Sequence, residues 1–97
     1  MKAMMLPAVA DLAATQAPLV LTPVADPVPG KGELLVRVTR CGVCHTELDE
    51  IEGRTPPPRF PVIPGHQVVG TVAACGAGTS EFTAGDRVGI AWIYSAC

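Results

Sequence analysis

Short stretches in which apolar and polar positions alternate recur along this 97-residue chain, and alternation of this kind predicts β-strands. In the clearest stretch, Leu34, Val36 and Val38 fall on one face, while Arg37 and Thr39 fall on the other. The predicted strands cover residues 2–6, 33–40, 65–74 and 86–93. The last strand is expected to place its large apolar residues on one face: Val88, Ile90 and Trp92.

Turn-forming residues separate these predicted strands. Residues 7–32 are predicted to be a loop, and the segment Val-Pro-Gly-Lys at 28–31 places Pro and Gly at the two central positions of a type II turn. Five prolines between residues 54 and 64 exclude a helix and a central strand, so this segment is predicted to be extended.

One short helix is predicted between the second strand and the prolines. Thr46 and Asp49 have the spacing of a capping box, and Gly53 suits the residue that ends a helix. Leu48 and Ile51 are expected to face inward. The acidic residues are expected to form a solvated face: Glu47, Asp49, Glu50 and Glu52. Together these elements predict a mainly β fold, a barrel or sandwich with one or two short helices, in a single domain over residues 1–97.

Composition narrows the range of functions. Gly and Pro contribute ten residues each, which argues against a helical bundle. The net charge of −2 gives no basic field for nucleic acid, and the apolar runs are far shorter than the roughly 20 residues that span a bilayer. The N-terminus is a poor secretory signal, because Pro7 interrupts a short apolar run. A cytoplasmic protein is therefore expected, without nucleic-acid or membrane partners, whose cysteines serve metal or redox chemistry.

The segment Cys-Gly-Val-Cys-His at 41–45 is the sharpest chemical signal, and three interpretations of it stay open. A thioredoxin-like redox pair would need a βαβ context, which the strand pattern lacks. Covalent haem attachment matches the motif, but it needs an axial partner such as Met or a second His. A zinc site would combine Cys44 with His66, at the start of another predicted strand, because zinc prefers sulfur and imidazole ligands.

Three longer motifs occur in order along the chain. They are Gly-Val-Cys-His-Thr-Glu-Leu at 42–48, Pro-Val-Ile-Pro-Gly-His-Gln-Val-Val-Gly at 61–70 and Gly-Asp-Arg-Val-Gly at 85–89. Together they resemble the zinc-dependent alcohol dehydrogenases of the medium-chain dehydrogenase/reductase superfamily, over the whole chain. The resemblance implies the GroES-like, partly open β-barrel of these enzymes. It also implies the N-terminal piece of a longer dehydrogenase, without its nucleotide-binding domain and inactive alone.

The resemblance implies a role for each matched residue around a catalytic zinc. Cys44 is expected to supply a thiolate ligand and His66 an imidazole ligand. Thr46 corresponds to the hydroxyl that receives the proton of the substrate alcohol, and His45 to a residue that contacts the pyrophosphate of NAD or NADP. Zinc would act as a Lewis acid on a primary alcohol or an aldehyde, with hydride transfer to or from the nicotinamide.

The resemblance extends to residues outside this centre. Cys97 resembles the first of four cysteine ligands of a second, structural zinc, and Trp92 resembles a wall of the substrate pocket. Cys41 is not expected to bind the catalytic zinc. The parent enzyme is expected to be a homo-oligomer. The alternative interpretation is a standalone GroES-like binding or assembly module without catalysis.

Three residues depart from the family pattern. Glu47 stands where the family usually has an Asp that orients the zinc-binding His, and Gln67 stands where a Glu often follows that His. Asp49 stands where a His frequently ends the proton relay. Because Asp titrates lower than His, the parent enzyme is expected to have a different pH optimum from enzymes with a relay His.

Overall fold

The computed structural model describes residues 1–93, which form five β-strands and one α-helix. The chain divides into two compact units. The first unit combines Met1–Ala25 with Val43–Gly65, and the second combines Asp26–Gly42 with the residues from His66 onward. Within the described residues, no helix is both long and apolar enough to cross a bilayer. The prediction of a mainly β fold is confirmed, whereas the single domain over residues 1–97 stays a prediction.

A two-stranded antiparallel sheet belongs to the first unit. Strand β1 (Lys2–Met5) pairs with β2 (Val20–Pro23). Leu6, which is fully buried, continues from β1 into an isolated bridge with Val62, in which each residue donates its N–H to the other's carbonyl oxygen at 2.8 and 3.1 Å. The predicted first strand is therefore confirmed. The β2 strand was missed within the predicted loop, because its four residues end in proline and show no long alternation.

The helix α1 (His45–Glu52) also lies in the first unit, where a helix was predicted. It ends at Gly53, which has the left-handed φ of 82° that glycine adopts without strain. The predicted capping pair is wrong, because the N-cap is Cys44 and its capping-box partner is Glu47, two residues earlier than expected. Cysteine is outside the usual set of N-cap residues, so sequence preferences pointed to a threonine nearby.

Burial along α1 differs from the expected pattern at two positions. Ile51 faces inward as predicted, with 7% of its surface exposed, and its carbonyl oxygen accepts a hydrogen bond from the N–H of Ala10 at 2.8 Å. Leu48, expected to be buried, is 38% exposed. Glu47, expected in the solvated acidic face, is only 5% exposed. Its carboxylate turns back over the start of the helix to cap it, which removes it from solvent.

A three-stranded antiparallel sheet forms the second unit, in the order β3 (Leu34–Gly42), β4 (Gln67–Cys75) and β5 (Arg87–Ile90). Its buried centre is Val72, with 2% of its surface exposed. The predicted second and third strands are confirmed. The last strand is shorter than predicted, and Trp92 lies beyond it, 77% exposed.

Two details of the second unit correct the sequence analysis. The register of β3 against β4 shifts twice, once on each side of Val36–Val38, so the regular alternation is broken and Val38 is 55% exposed. The predicted type II turn is misplaced. Positive φ occurs at Gly32 instead of Gly30, and the N–H of Glu33 donates to the carbonyl of Gly30 at 3.1 Å, which moves the turn two residues along the chain.

Candidate metal centre

Three of the predicted site residues lie next to one another at the beginning of α1. Strand β3 ends at Gly42 and the helix begins at His45, so the Cys-His-Thr sequence occupies the junction between strand and helix. Cys44 is half-buried, and its Sγ accepts a hydrogen bond from the backbone N–H of Thr46 at 3.4 Å. The side chains of His45 and Thr46 are exposed. The junction therefore presents a thiol, an imidazole and a hydroxyl from consecutive residues.

Glu47 fixes the backbone of this junction. Its Oε2 accepts a hydrogen bond from the backbone N–H of Cys44 at 2.6 Å. Hydrogen bonds to an ionised acceptor are short and strong, so this contact holds the N-cap residue in place. The acid is also one of the most buried residues of the chain, at 5% exposure. A buried carboxylate therefore lies against the backbone of Cys44, the candidate thiolate ligand.

His66 reaches the same neighbourhood from a different segment of the chain. Gly42 and Gln67 are register partners at one end of the β3–β4 ladder. Cys44 follows Gly42 by two residues, and His66 directly precedes Gln67. Because a residue spans at most about 3.6 Å, the covalent chain alone keeps both side chains near this end of the ladder. The antiparallel pairing thus brings together residues that are 22 positions apart in sequence.

Cys44, Glu47 and His66 form a group that could hold a metal ion. Each offers one ligand atom, and these atoms lie within 4.8 Å of one another. Zinc takes sulfur, imidazole nitrogen and carboxylate oxygen at about 2.0–2.3 Å, so ligands of one ion lie within about 4.6 Å of each other. A thiolate in the set favours zinc over magnesium or calcium. The donor set therefore fits a zinc ion with small side-chain adjustments.

The other predicted residues have different surroundings. Cys41 is an exposed residue of β3 whose Sγ donates to the carbonyl of Gly42 at 3.7 Å, and it does not belong to the group. Cys97 lies outside the described residues. The redox interpretation expected parallel strands joined by a helix, but β3, β4 and β5 pair antiparallel. Sequence reasoning missed Glu47 as a possible ligand, although its position three residues after Cys44 was the available signal.

An ion-pair cluster lies one turn further along the helix. Oδ1 of Asp49 lies 3.3 Å from Nδ1 of His45 and accepts a hydrogen bond from Nε of Arg54 at 2.5 Å. Nη2 of Arg54 also donates to Glu52 at 3.1 Å. The hydrogen bond from Arg54, reinforced by His45, lowers the pKa of Asp49, and the two carboxylates raise the pKa of Arg54. Asp49 is therefore ionised at neutral pH.

Comparison with known proteins identifies the family. The profile of the family described as alcohol dehydrogenase GroES-like domain matches residues 30–97, more than half of the chain. The chain belongs to this family, whose fold agrees with the mainly β structure and the resemblance drawn from the sequence. The family match covers the whole of β3, the helix α1 and the residues of the candidate metal centre.

Individual relatives are named alcohol dehydrogenase. The chain is 51% identical over 72 residues to an alcohol dehydrogenase of Moraxella sp. (strain TAE123), covering 73% of this chain and 21% of the relative. It is 48% identical over 81 residues to an alcohol dehydrogenase of Geobacillus stearothermophilus, covering 82% of this chain and 24% of the relative. The solved structure of zinc dependent alcohol dehydrogenase 2 from Streptococcus pneumoniae matches with a TM-score of 0.78 and 31% identity, over 94% of this chain and 24% of that one. The chain thus spans about a fifth to a quarter of the length of these curated relatives.

Proposed function

We propose that this chain is the N-terminal catalytic-domain part of a zinc-dependent alcohol dehydrogenase. The parent enzyme oxidises a primary alcohol to an aldehyde with NAD or NADP, and catalyses the reverse reduction. The observation that carries the proposal is the group of Cys44, Glu47 and His66 at the junction of β3 and α1, a donor set suited to zinc. The family match and relatives named alcohol dehydrogenase support the same assignment.

Cys44 and His66 are proposed as the zinc ligands that this chain supplies. When zinc is bound, it supplies Lewis-acid polarisation of the alcohol oxygen. The hydrogen bond from Cys44 N–H to Glu47 holds the thiolate ligand in a fixed place, because it anchors the backbone from which the sulfur projects. Burial of the carboxylate protects this anchor from competition with water.

Thr46 and His45 are proposed to serve the proton and the cofactor. The Thr46 hydroxyl is exposed beside the candidate ligand Cys44, so it can accept the alcohol proton while it donates its own onward. His45 is exposed on the same turn and is proposed to contact the pyrophosphate of the dinucleotide. Both residues are fixed relative to Cys44 because all three share the first turn of α1 and its cap.

Several further assignments remain proposals. Residues 1–97 are proposed to form one GroES-like domain that is inactive alone, with Cys97 as a ligand of a structural zinc and Trp92 as a wall of the substrate pocket. The partners are proposed to be a small alcohol or aldehyde and a nicotinamide dinucleotide, without nucleic acid or membrane. The parent is proposed to be a cytoplasmic homo-oligomer. A GroES-like binding module without catalysis is not favoured, because the relatives named above are alcohol dehydrogenases.

The test uses the full-length protein and a matched pair of cysteine variants. Oxidation of a series of primary alcohols is followed by the appearance of NADH or NADPH, before and after removal of zinc by a chelator. We expect activity that is lost with the metal and restored by added zinc. Cys44→Ser should lower zinc content and reduce kcat/KM by at least about 100-fold, whereas Cys41→Ser should retain both. Zinc-loaded protein that oxidises none of the alcohols, or equal losses in the two variants, would overturn the proposal.

A further inference from the structure

Glu47 is a buried acid directly beside the candidate ligand Cys44. Only 5% of its surface is exposed, and acids are almost never buried to this degree unless they are paired, hydrogen-bonded or bound to a metal ion. Its Oε2 accepts the hydrogen bond from the N–H of Cys44 at 2.6 Å. A carboxylate has two oxygens with about four acceptor positions, so capping the helix uses only part of what this side chain can bind.

The capping box fixes the carboxylate relative to the thiol. The side chain of Cys44 accepts a hydrogen bond from the backbone at Glu47, and the side chain of Glu47 accepts one from the backbone of Cys44. These reciprocal bonds hold the sulfur and the carboxylate on the same side of the first helical turn. Both groups are therefore in place before a metal ion binds, so they lose little conformational freedom when it does.

The carboxylate lies close to the sulfur as well as to the histidine. Cys44, Glu47 and His66 each contribute one ligand atom, and these three atoms lie within 4.8 Å of one another. A carboxylate that only oriented His66 would need to lie close to the imidazole alone. A carboxylate that shares an ion with both residues must also lie close to the sulfur, which is the arrangement observed. Compared with the Asp expected from the resemblance, Glu47 reaches further by one carbon–carbon bond of about 1.5 Å.

We propose that Glu47 is itself a ligand of the zinc, through Oε1, while the N–H of Cys44 holds Oε2 and thereby orients the carboxylate. Metal-binding carboxylates are held by hydrogen bonds of this kind. Cys44 then acts twice, since its sulfur binds the ion and its backbone positions the neighbouring ligand. The proposal rests on the proposed function, in which zinc binds at Cys44 and His66. It replaces the histidine-orienting role that the resemblance implies for this position.

Crystallography of the zinc-loaded, full-length enzyme tests the proposal without a measurement of activity. We expect one oxygen of Glu47 to lie about 2.0–2.2 Å from the zinc that Cys44 and His66 bind, with the other oxygen still bonded to the N–H of Cys44. A zinc ion bound to Cys44 and His66 with both oxygens of Glu47 beyond about 2.4 Å would overturn the proposal.

Zinc affinity in solution separates a ligand from a nearby charge. Competition with a chelator gives the Kd of the site whose zinc is lost in Cys44→Ser, after circular dichroism has shown that each variant is folded. Glu47→Asp keeps the charge but ends about 1.5 Å short, whereas Glu47→Gln keeps the length but offers a neutral amide. A ligand needs both properties, so we expect each variant to raise the Kd for zinc by about tenfold or more. Glu50→Gln, which removes an acid of the same helix outside the group, should leave the Kd unchanged. Wild-type affinity in Glu47→Asp would overturn the proposal, because it would show that the charge alone matters.

These outcomes are separate from those that test the proposed function. Zinc bound through Glu47 in a protein that oxidises no alcohol would support this proposal and count against the proposed function. An active enzyme whose zinc contacts Cys44 and His66 but not Glu47 would overturn this proposal and leave the proposed function intact.

Discussion

The buried carboxylate of Glu47 should stabilise the start of α1 by an amount that can be worked from its hydrogen bond. Its Oε2 lies 2.6 Å from the backbone nitrogen of Cys44, and the side chain is 5% exposed. A hydrogen bond to a charged group contributes about 1.5–3 kcal/mol net. Glu47→Ala loses this bond and regains only a few tenths of a kcal/mol from the helix propensity of alanine. We therefore expect a loss of about 1–2.5 kcal/mol in the free energy of unfolding.

The assay is urea unfolding followed by circular dichroism, with a chelator present so that metal binding does not contribute. With a slope of about 1–3 kcal/mol per molar urea, the midpoint for Glu47→Ala should fall by about 1 M. Glu47→Gln keeps an acceptor oxygen but loses its charge, so it should cost about 1 kcal/mol. Glu50→Ala, on the same helix, is the control for the loss of a carboxylate. The reasoning would be refuted if Glu47→Ala and Glu50→Ala unfolded within about 0.5 kcal/mol of each other.

Three further predictions use the same unfolding assay. Gly53→Ala should lower the free energy of unfolding by about 2 kcal/mol and Gly78→Ala by about 1 kcal/mol. Both glycines have φ near 80°, but only at Gly53 would the added Cβ lie 3.0 Å from a methyl group of Val9. Equal losses in the two variants would contradict this reasoning. Ile51→Ala should cost about 2–4 kcal/mol by emptying a buried site, and a loss below about 1 kcal/mol would show that the residue is not packed. Because the folded pKa of Asp49 lies below its usual 3.8, the stability it contributes is present at neutral pH and disappears as the pH falls through the lowered value. The stability difference between the wild type and Asp49→Asn should therefore vanish in strong acid, and a difference that persisted there would contradict the ion pair.

The strands of the second unit could be predicted because their signal is local. Alternation in β3 and β4 located both strands, although two register shifts then exposed Val38. The short β2 strand could not be predicted, since four residues carry too little periodicity and the strand depends on pairing with β1. The exposure of Trp92 followed from the early end of β5, which no residue pattern marked.

The candidate metal centre could be predicted only in part. The sequence motifs predicted Cys44 and His66 as ligands, which stays a prediction. The pairing of Gly42 with Gln67, next to which both residues lie, is a long-range contact that the spacing of the motifs does not encode. Glu47 was expected to be an exposed acid or a group orienting the histidine, and its role as the capping partner of Cys44 was missed. A capping box built on a cysteine falls outside the preferences from which helix starts are predicted.

Cobalt substitution tests most directly whether Cys44 and His66 bind a metal ion. Cobalt(II) takes the place of zinc and gives a sulfur-to-metal charge-transfer band when a thiolate is bound, together with visible bands that report its geometry. In the zinc-free full-length protein we expect two equivalents of cobalt per chain, one at this centre and one at the proposed structural site that includes Cys97. Cys44→Ser should remove one equivalent of cobalt and its share of the charge-transfer band, His66→Asn should alter the visible bands, and Cys41→Ser should change neither. A charge-transfer band and a cobalt content that are unchanged in Cys44→Ser, or that fall in Cys41→Ser, would contradict the assignment of this centre.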